Sequence, residues 1–283
     1  MTARRLVVRR FLRHRLAVGS LVVLAVVVAI SLIGGRYWSY RYDEITAEFS
    51  TGPSLRHPFG TDGPGHDVLA QVLRGAQKSV QIMLIVGLVS TVVGVIVGVV
   101  AGYFRGVVES LLMRCVDLIL TVPLLGVVAV LATAVRDASS WALLAIVLGL
   151  LVWTGLARIV RAECLVVCDK EFVYAAKVLG VSAAGVIWRH VLPNIAGSII
   201  VSATLTMAGA ILLETTLSFL GLGVQTPDTS LGKLVADGQS AAVTRPWLFY
   251  FPGLVIVVIV LCVNFIGDGL RDAFDPHRTL VRS

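Results

Sequence analysis

Charge is what this chain has least of: Asp, Glu, Lys and Arg make up 14% of its 283 residues against 57% hydrophobic ones, and its mean hydropathy is +0.90. Soluble domains carry about 25% charged residues, so this scarcity excludes an ordinary water-soluble enzyme and a disordered chain alike. Cysteine is nearly as sparse. Cys115, Cys164, Cys168 and Cys262 lie in or beside apolar stretches without the spacing of a disulfide framework. No G-x-x-x-x-G-K-S/T loop occurs to cradle a nucleotide, and the five histidines are scattered with no H-E-x-x-H. The pairs Gly63/Gly65, Gly221/Gly223 and Gly267/Gly269 lack the third glycine of a phosphate-binding turn. Gly180, Ser182 and Gly185 are spaced one residue too far for a nucleophile elbow. Cys164 and Cys168 share a helical face, but two thiols without further ligands make a poor case for zinc. Neither an enzyme nor a metal site is expected.

What fills the chain instead is a series of charge-free runs: 16–35, 79–104, 118–135, 138–157, 190–213 and 246–267. About 20 such residues cross the roughly 30 Å hydrocarbon core as a helix. A backbone in lipid must satisfy itself internally, and these Val/Leu/Ala/Ile runs do not alternate as barrel strands do. The expectation is an all-α membrane protein of six transmembrane helices, over 16–35, 79–104, 111–135, 138–157, 194–216 and 247–267. The first run is long for a signal-peptide core and has no clear small-x-small cleavage site before Arg36, so it reads as a retained helix. With the N-terminus inside, two thirds of the 24 Lys and Arg fall on the cytoplasmic side, which places both termini there: the basic segment 1–15 and the tail 268–283. The formal charge of +7 then meets anionic membrane lipid and needs no nucleic acid.

Three connections are longer than turns. The extracytoplasmic segment 36–78 carries Tyr37, Trp38, Tyr40 and Tyr42, suited to the headgroup level. A turn-rich stretch follows, and Asp67 is placed to cap a helix with Val68, Leu69, Val72, Leu73 and Ala76 on one face. That helix reads as interfacial, or else as a solvated connector. In the inner connection, 158–193, Asp169 is a candidate cap for a short helix with Phe172, Ala176 and Leu179 on one face. Gly180 fits the left-handed residue that ends it, and Ser182 can cap a second helix that should close before Pro193. Small Ala175 and Ala176 would let a partner approach this knob closely. The outer segment 217–246 opens with the apolar Leu217–Gly223, expected to lie in the interface or fold back as a lid. Among charges near the spans, Arg114 and Asp117 stand three apart and read as a mutual pair. Glu214 is either a lining or gating residue or a carboxylate bonded to another helix.

Four stretches together resemble one family. His57-Pro58-Phe59-Gly60-Thr61-Asp62 with Gly65 and Asp67, Glu171-Phe172-Val173-Tyr174-Ala175-Ala176-Lys177-Val178-Leu179-Gly180 followed by Leu192-Pro193-Asn194, Glu214 through Gly223, and Gly267-Asp268-Gly269-Leu270-Arg271-Asp272 before Asp275-Pro276 are similar to the C-type permeases of ATP-binding-cassette importers for dipeptides and oligopeptides. Departures are Tyr174 for the loop's usual glutamate, Gly63-Pro64 for an acidic-hydrophobic pair, His66 for arginine and Leu231 for tryptophan. The resemblance implies a type I importer permease fold and a pathway enclosed with a homologous second permease. It further implies two ATPase subunits below and an extracytoplasmic substrate-binding protein that delivers a peptide. No cofactor belongs to this chain; ATP and magnesium sit on the partner ATPases. The coupling loop would comprise Glu171, Phe172, Tyr174, Ala175, Ala176, Leu179, Gly180 and Pro193, and the outer-loop motif Gly60, Thr61, Asp62 and Asp67. Glu214, Phe219, Asp117 and Arg114 are the pathway or gate candidates. Relatives of this kind handle dipeptides, longer peptides, nickel chelates, glutathione or heme. The alternatives are a self-sufficient secondary carrier or channel, and a scaffold subunit.

Overall fold

The computed structural model describes residues 3–135 and 140–274. In chain order the helices are α1 (Ala3–Arg13), α2 (Arg15–Tyr37), α3 (Val68–Phe104), α4 (Gly106–Thr121), α5 (Leu124–Val135), α6 (Trp141–Cys168), α7 (Glu171–Val178), α8 (Ala183–Val186), α9 (Leu192–Phe219), α10 (Leu231–Gly238) and α11 (Trp247–Phe274). A π turn, Ile187–Val191, joins α8 to α9, and a 3₁₀ turn, Gln239–Ala241, follows α10.

Contacts between helix ends order the bundle. Gly34 and Gly35 near the end of α2 face Leu73 and Gln77 near the start of α3, and Trp247 at the start of α11 donates to the Thr61 carbonyl. These define the Asp67 end. At the other, the α7 end, Gly102 of α3 meets Cys164 of α6, Ser198 of α9 bonds Glu163 of α6, and Gly269 of α11 meets Ala17 of α2. The ammonium of Lys78 lies 4.0 Å from the Trp141 ring centroid, which sets the start of α6 beside the first third of α3. Having reached the α7 end at Phe104, the chain must therefore cross back through α4 and α5. Five helices are each long and apolar enough to span a membrane, and the α4–α5 pair, bent by 80°, makes a sixth when taken as one broken span. Both α1 and the last described turn of α11 lie at the α7 end.

Three expectations about these helices need correction. The segment after Asp67 is not a separate interfacial helix: α3 runs unbroken for 37 residues, about 55 Å at 1.5 Å per residue. Nothing in 68–104 interrupts it, and Val68, Val72, Leu73 and Ala76 bury that face against the bundle. The third span is not one rod over 111–135. Val122, ahead of Pro123, is forced to extended geometry (φ −82°, ψ 130°), so α4 stops and α5 restarts at a new angle. Nor does the helix after Ser182 close before Pro193. The π turn, with the Leu192 N–H reaching back to the Ile187 carbonyl, carries the backbone into α9 with Pro193 in its first turn. Residues 136–139 and 275–283, including the expected start of the fourth span and Asp275-Pro276, lie outside the described residues.

α3 is the axis. Gly94, Gly98 and Gly102, spaced by four, form a stripe against α6: a Cβ at Gly98 would stand 2.6 Å from the Ala157 carbonyl oxygen, and one at Gly94 2.7 Å from Leu156. Small residues at this spacing let helices close to backbone contact, the association mode available where lipid removes a hydrophobic drive.

Candidate functional site

Two ends of the bundle carry the residues singled out by sequence. At the α7 end the chain leaves α6 at Cys168, and α7 begins after Lys170, whose carbonyl accepts from the Val173 and Tyr174 N–H groups. Asp169 is not its cap: that carboxylate accepts from the Arg105 guanidinium at 2.6 Å. Arg105 has φ +50° at the α3–α4 corner and also reaches the Leu165 carbonyl. The corner is thus tied to the base of α7, and the pairing holds the Arg105 pKa above its ordinary value. α7 ends in a Schellman closure: Val181 N–H bonds the Ala176 carbonyl (3.1 Å), Gly180 N–H bonds the Lys177 carbonyl (3.0 Å), and Gly180 takes φ +76°. Ser182 Oγ accepts from the Gly185 N–H and caps α8.

The face α7 buries differs from the one its spacing suggested. Val173 and Ala176 pack into a core with Val160, Cys164, Val186, Val191 and Ile195, whereas Phe172 and Leu179 point outward. A helix of eight residues can cover only one stripe, and the β-branched Val173 fills the α6–α9 crevice. The tip that remains is apolar: Leu179 is 82% exposed and Tyr174 70%, and Val178 and Phe172 are exposed beside them. Glu171, Ala175, Gly180 and Pro193 are exposed as well. Beside the tip lies a cleft of about 500 Å³ whose walls include Tyr103, Arg105, Glu171 and Lys177. The Lys177 ammonium rests 4.9 Å from the Tyr103 ring centroid.

At the Asp67 end the polar residues turn inward. Asp67 is fully buried: its Oδ1 accepts from the Ala70 N–H (2.7 Å) and the Trp38 indole (3.1 Å), and its Oδ2 lies 2.6 Å from His57 Nδ1. One carboxylate therefore caps α3 and ties it to the end of α2 and to the turn before it. Asp62 accepts at Oδ1 from the Gly65 and His66 N–H groups and contacts His66 Nδ1 and the Gln71 amide through Oδ2. His66, where the family pattern has arginine, thus closes this turn. Thr61 bonds Thr51. Gly60 (φ +75°) leaves no room for a side chain, since a Cβ would stand 2.7 Å from the Thr51 carbonyl oxygen and 2.9 Å from the Trp247 indole nitrogen.

The pathway candidates are not brought together. Asp117 pairs with Arg158 of α6 (2.5 Å), not with Arg114, which is exposed. Glu109 pairs with Arg161 one turn further on. Both pairs fasten α4 to α6, because the α4 face that carries Asp117 turns toward α6, whose two arginines offer bidentate donors. Glu214, fully buried, accepts at Oε1 from Ser218 (2.8 Å) and Ser230 (2.6 Å). Ser230 also caps α10, so the carboxylate joins α9 to α10. Its Oε2 has no hydrogen-bond partner among the described residues and lies against Gly232. Phe219, half exposed, closes α9. Gly221 then turns the chain with φ +72°, and the segment folds back so that Leu231, Leu234 and Val235 enter the core between α3 and α11.

Sequence reasoning passed over a third cluster. Arg74 (2.6 Å) and the buried Lys78 (3.3 Å) both pair with Asp228, fastening α3 to the segment before α10. Lys78 stands immediately ahead of the charge-free run 79–104. Burial in the same region pushes the Lys233 ammonium down in pKa and the Asp237 carboxyl up. Among the described residues no three His, Cys, Asp or Glu side chains gather as metal ligands.

Comparison with known proteins now adds a family to this geometry. Residues 94–280 match the family described as binding-protein-dependent transport system inner membrane component, and residues 2–55 match the N-terminal transmembrane domain of oligopeptide transport permease C. The chain is 42% identical over 282 residues to the oligopeptide transport system permease protein OppC of Mycobacterium tuberculosis, covering 99% of this chain and 96% of that one. It is 41% identical over 271 residues to OppC of Escherichia coli, with 95% and 89% covered. To OppC of Haemophilus influenzae it is 38% identical over 271 residues, with 95% and 86% covered. Alignment along the whole length, together with five to six apolar membrane-span candidates, shows a multi-pass permease, and the chain belongs to the binding-protein-dependent transport system inner membrane components.

Proposed function

We propose that the protein is the C-type permease of an ATP-driven importer for di- or oligopeptides. Both termini and α7 lie in the cytoplasm, and the Asp67 end faces the extracytoplasmic binding protein. A homologous second permease encloses the pathway with this chain, and two ATPase subunits dock beneath. The observation that carries this reading is the α7 corner: an apolar tip held on a stem of buried side chains, closed by a left-handed glycine and braced by the Arg105–Asp169 pair. A lever transmits motion only if it is stiff relative to its contact, and coupling between two sites requires an element whose contacts differ between two states. Seated in a groove of an ATPase, α7 would pass closure of the nucleotide-binding subunits to α6 and α9, onto which Val173 and Ala176 are packed. The names of the relatives, and the residues shared with them, support a peptide as cargo. At the opposite end Glu214 holds α10 in place as a lid over the outer part of the bundle.

Affinity purification from mild detergent tests the assembly. The wild type is expected to bring down a second permease and two ATPases. Leu179→Glu puts a charge on an exposed apolar site and should lose the ATPases while keeping the permease. Retention of both ATPases by that variant, with normal uptake, contradicts the docking role.

A further inference from the structure

Between α2 and α11, on the surface turned away from α3, runs a groove of about 330 Å³. Gly19 and Val23 of α2 form one wall, Leu261 and Phe265 of α11 the other, and Arg15 stands at the mouth. Buried Ser20 and Cys262 line its floor, and beside Gly19 it is open, an added Cβ there meeting no atom within 4 Å. From Arg15 to Val23 the groove extends about 12 Å along the helix, close to the depth of one leaflet of a hydrocarbon core about 30 Å thick.

The mouth is predominantly basic, with Asp272 of α11 beside His14 as an acidic neighbour. Arg9, Arg13 and Arg15 are exposed, none makes an ion pair among the described residues, and the first turn of α2 contains no acidic residue. On α1, Val8 (57% exposed) and Leu12 (63%) sit beside these arginines, the pattern of a helix lying in the plane of the interface with its cations at phosphate depth. The α1–α2 corner is fixed: His14 Nδ1 accepts from the Ala17 N–H, and its Nε2 lies 3.6 Å from Asp272 of α11. The basic rim is therefore held over the apolar groove.

We propose that this groove binds one anionic phospholipid, its acyl chain between α2 and α11 and its phosphate on Arg15, within the basic rim that Arg9 and Arg13 extend. An apolar slot between two helices is complementary to a lipid tail. Guanidinium groups without a carboxylate partner are complementary to a phosphate diester that has a lipid tail attached. The site lies on the α7 side, where the stem of the lever is rooted, so its occupancy would stiffen the junction of α1, α2 and α11.

The protein, purified from membranes in its native assembly, is titrated with phosphatidylglycerol or phosphatidylcholine and examined by native mass spectrometry. The wild type is expected to retain phosphatidylglycerol preferentially. R15Q should weaken that retention about fivefold without changing phosphatidylcholine, and R15K should preserve it. Gly19→Leu, which projects a side chain into the groove, should lower retention of both lipids while the assembly stays intact. Equal retention of phosphatidylglycerol by wild type and R15Q overturns the proposal. So does a Leu261→Cys variant that cross-links to another transmembrane helix and is shielded from a lipid-borne quencher, because a protein would then occupy the groove.

Discussion

The two ends of the bundle solve opposite problems. At the Asp67 end the polar groups are buried and bonded to one another: Asp67 alone holds Ala70, Trp38 and His57, and Glu214 holds Ser218 and Ser230. At the α7 end the buried part is aliphatic, and what is presented outward is a bare apolar tip, Phe172, Tyr174, Val178 and Leu179. Among the described residues only Oε2 of Glu214 in these two clusters lacks a hydrogen-bond partner, so they have few groups left to offer and resist deformation. Exposed apolar side chains on a rigid stem are costly to leave in water and gain by being covered. The difference separates a part that holds itself from a part made to be held, so substitutions at the two ends should fail in different ways.

The largest effect is expected at Asp67. Asp67→Ala removes the cap of α3 and leaves the half-buried Trp38 indole and the buried His57 imidazole without their acceptor, a loss of about 3–5 kcal/mol by comparison with other broken buried pairs. Thermal unfolding in detergent should fall sharply, and the little protein that folds should still couple ATP hydrolysis to uptake. A stable but uncoupled Asp67→Ala protein would erase the contrast. Gly180→Val is expected to do the reverse. A Cβ there meets no neighbouring atom, so the cost is backbone strain at φ +76°, about 1–2 kcal/mol. Membrane insertion and melting should change little while ATPase activity becomes independent of cargo; wild-type stimulation in this variant would contradict the lever. Tyr174→Glu is the mildest. On a side chain this exposed, stability should move by less than about 0.5 kcal/mol. Stimulation of the ATPase by loaded binding protein should weaken by less than about tenfold, since one charge is added at the edge of an apolar contact.

How much of this was readable beforehand follows the physics of each signal. Charge-free length is a direct consequence of the bilayer, and each of the five helices long and apolar enough to cross overlaps one of the runs, though α3 begins earlier and α6 ends later than its run. The caps at Asp67 and Ser182 and the glycine closure at Gly180 were legible because each rests on a single residue's local chemistry. The bend at Pro123 was equally local, and the preceding Val122 was its signal, masked by the hydrophobicity of the run around it. The same masking hid the Gly94/Gly98/Gly102 stripe, whose four-residue spacing is visible in the sequence. What no local pattern could supply was partner choice across the fold. Asp117 prefers Arg158 to its near neighbour Arg114, and Asp169 serves Arg105 in place of the α7 terminus. Lys78 finds Asp228, 150 residues away, because helix packing sets those distances. The buried face of α7 was misjudged for a related reason: Phe172 and Val173 are one step apart, and only the crevice between α6 and α9 chooses between them.

The most direct test of the central claim is site-directed cross-linking at the tip of α7. Leu179→Cys is made in a background with the exposed Cys115 replaced by serine, and the assembled importer is treated with a short bifunctional thiol reagent with and without nucleotide. The account predicts a cross-link to an ATPase subunit whose yield changes when nucleotide is bound, and no labelling of the same cysteine by a membrane-impermeant maleimide applied to the outside of intact cells. Labelling from outside, or a cross-link that forms only to the binding protein, would contradict it.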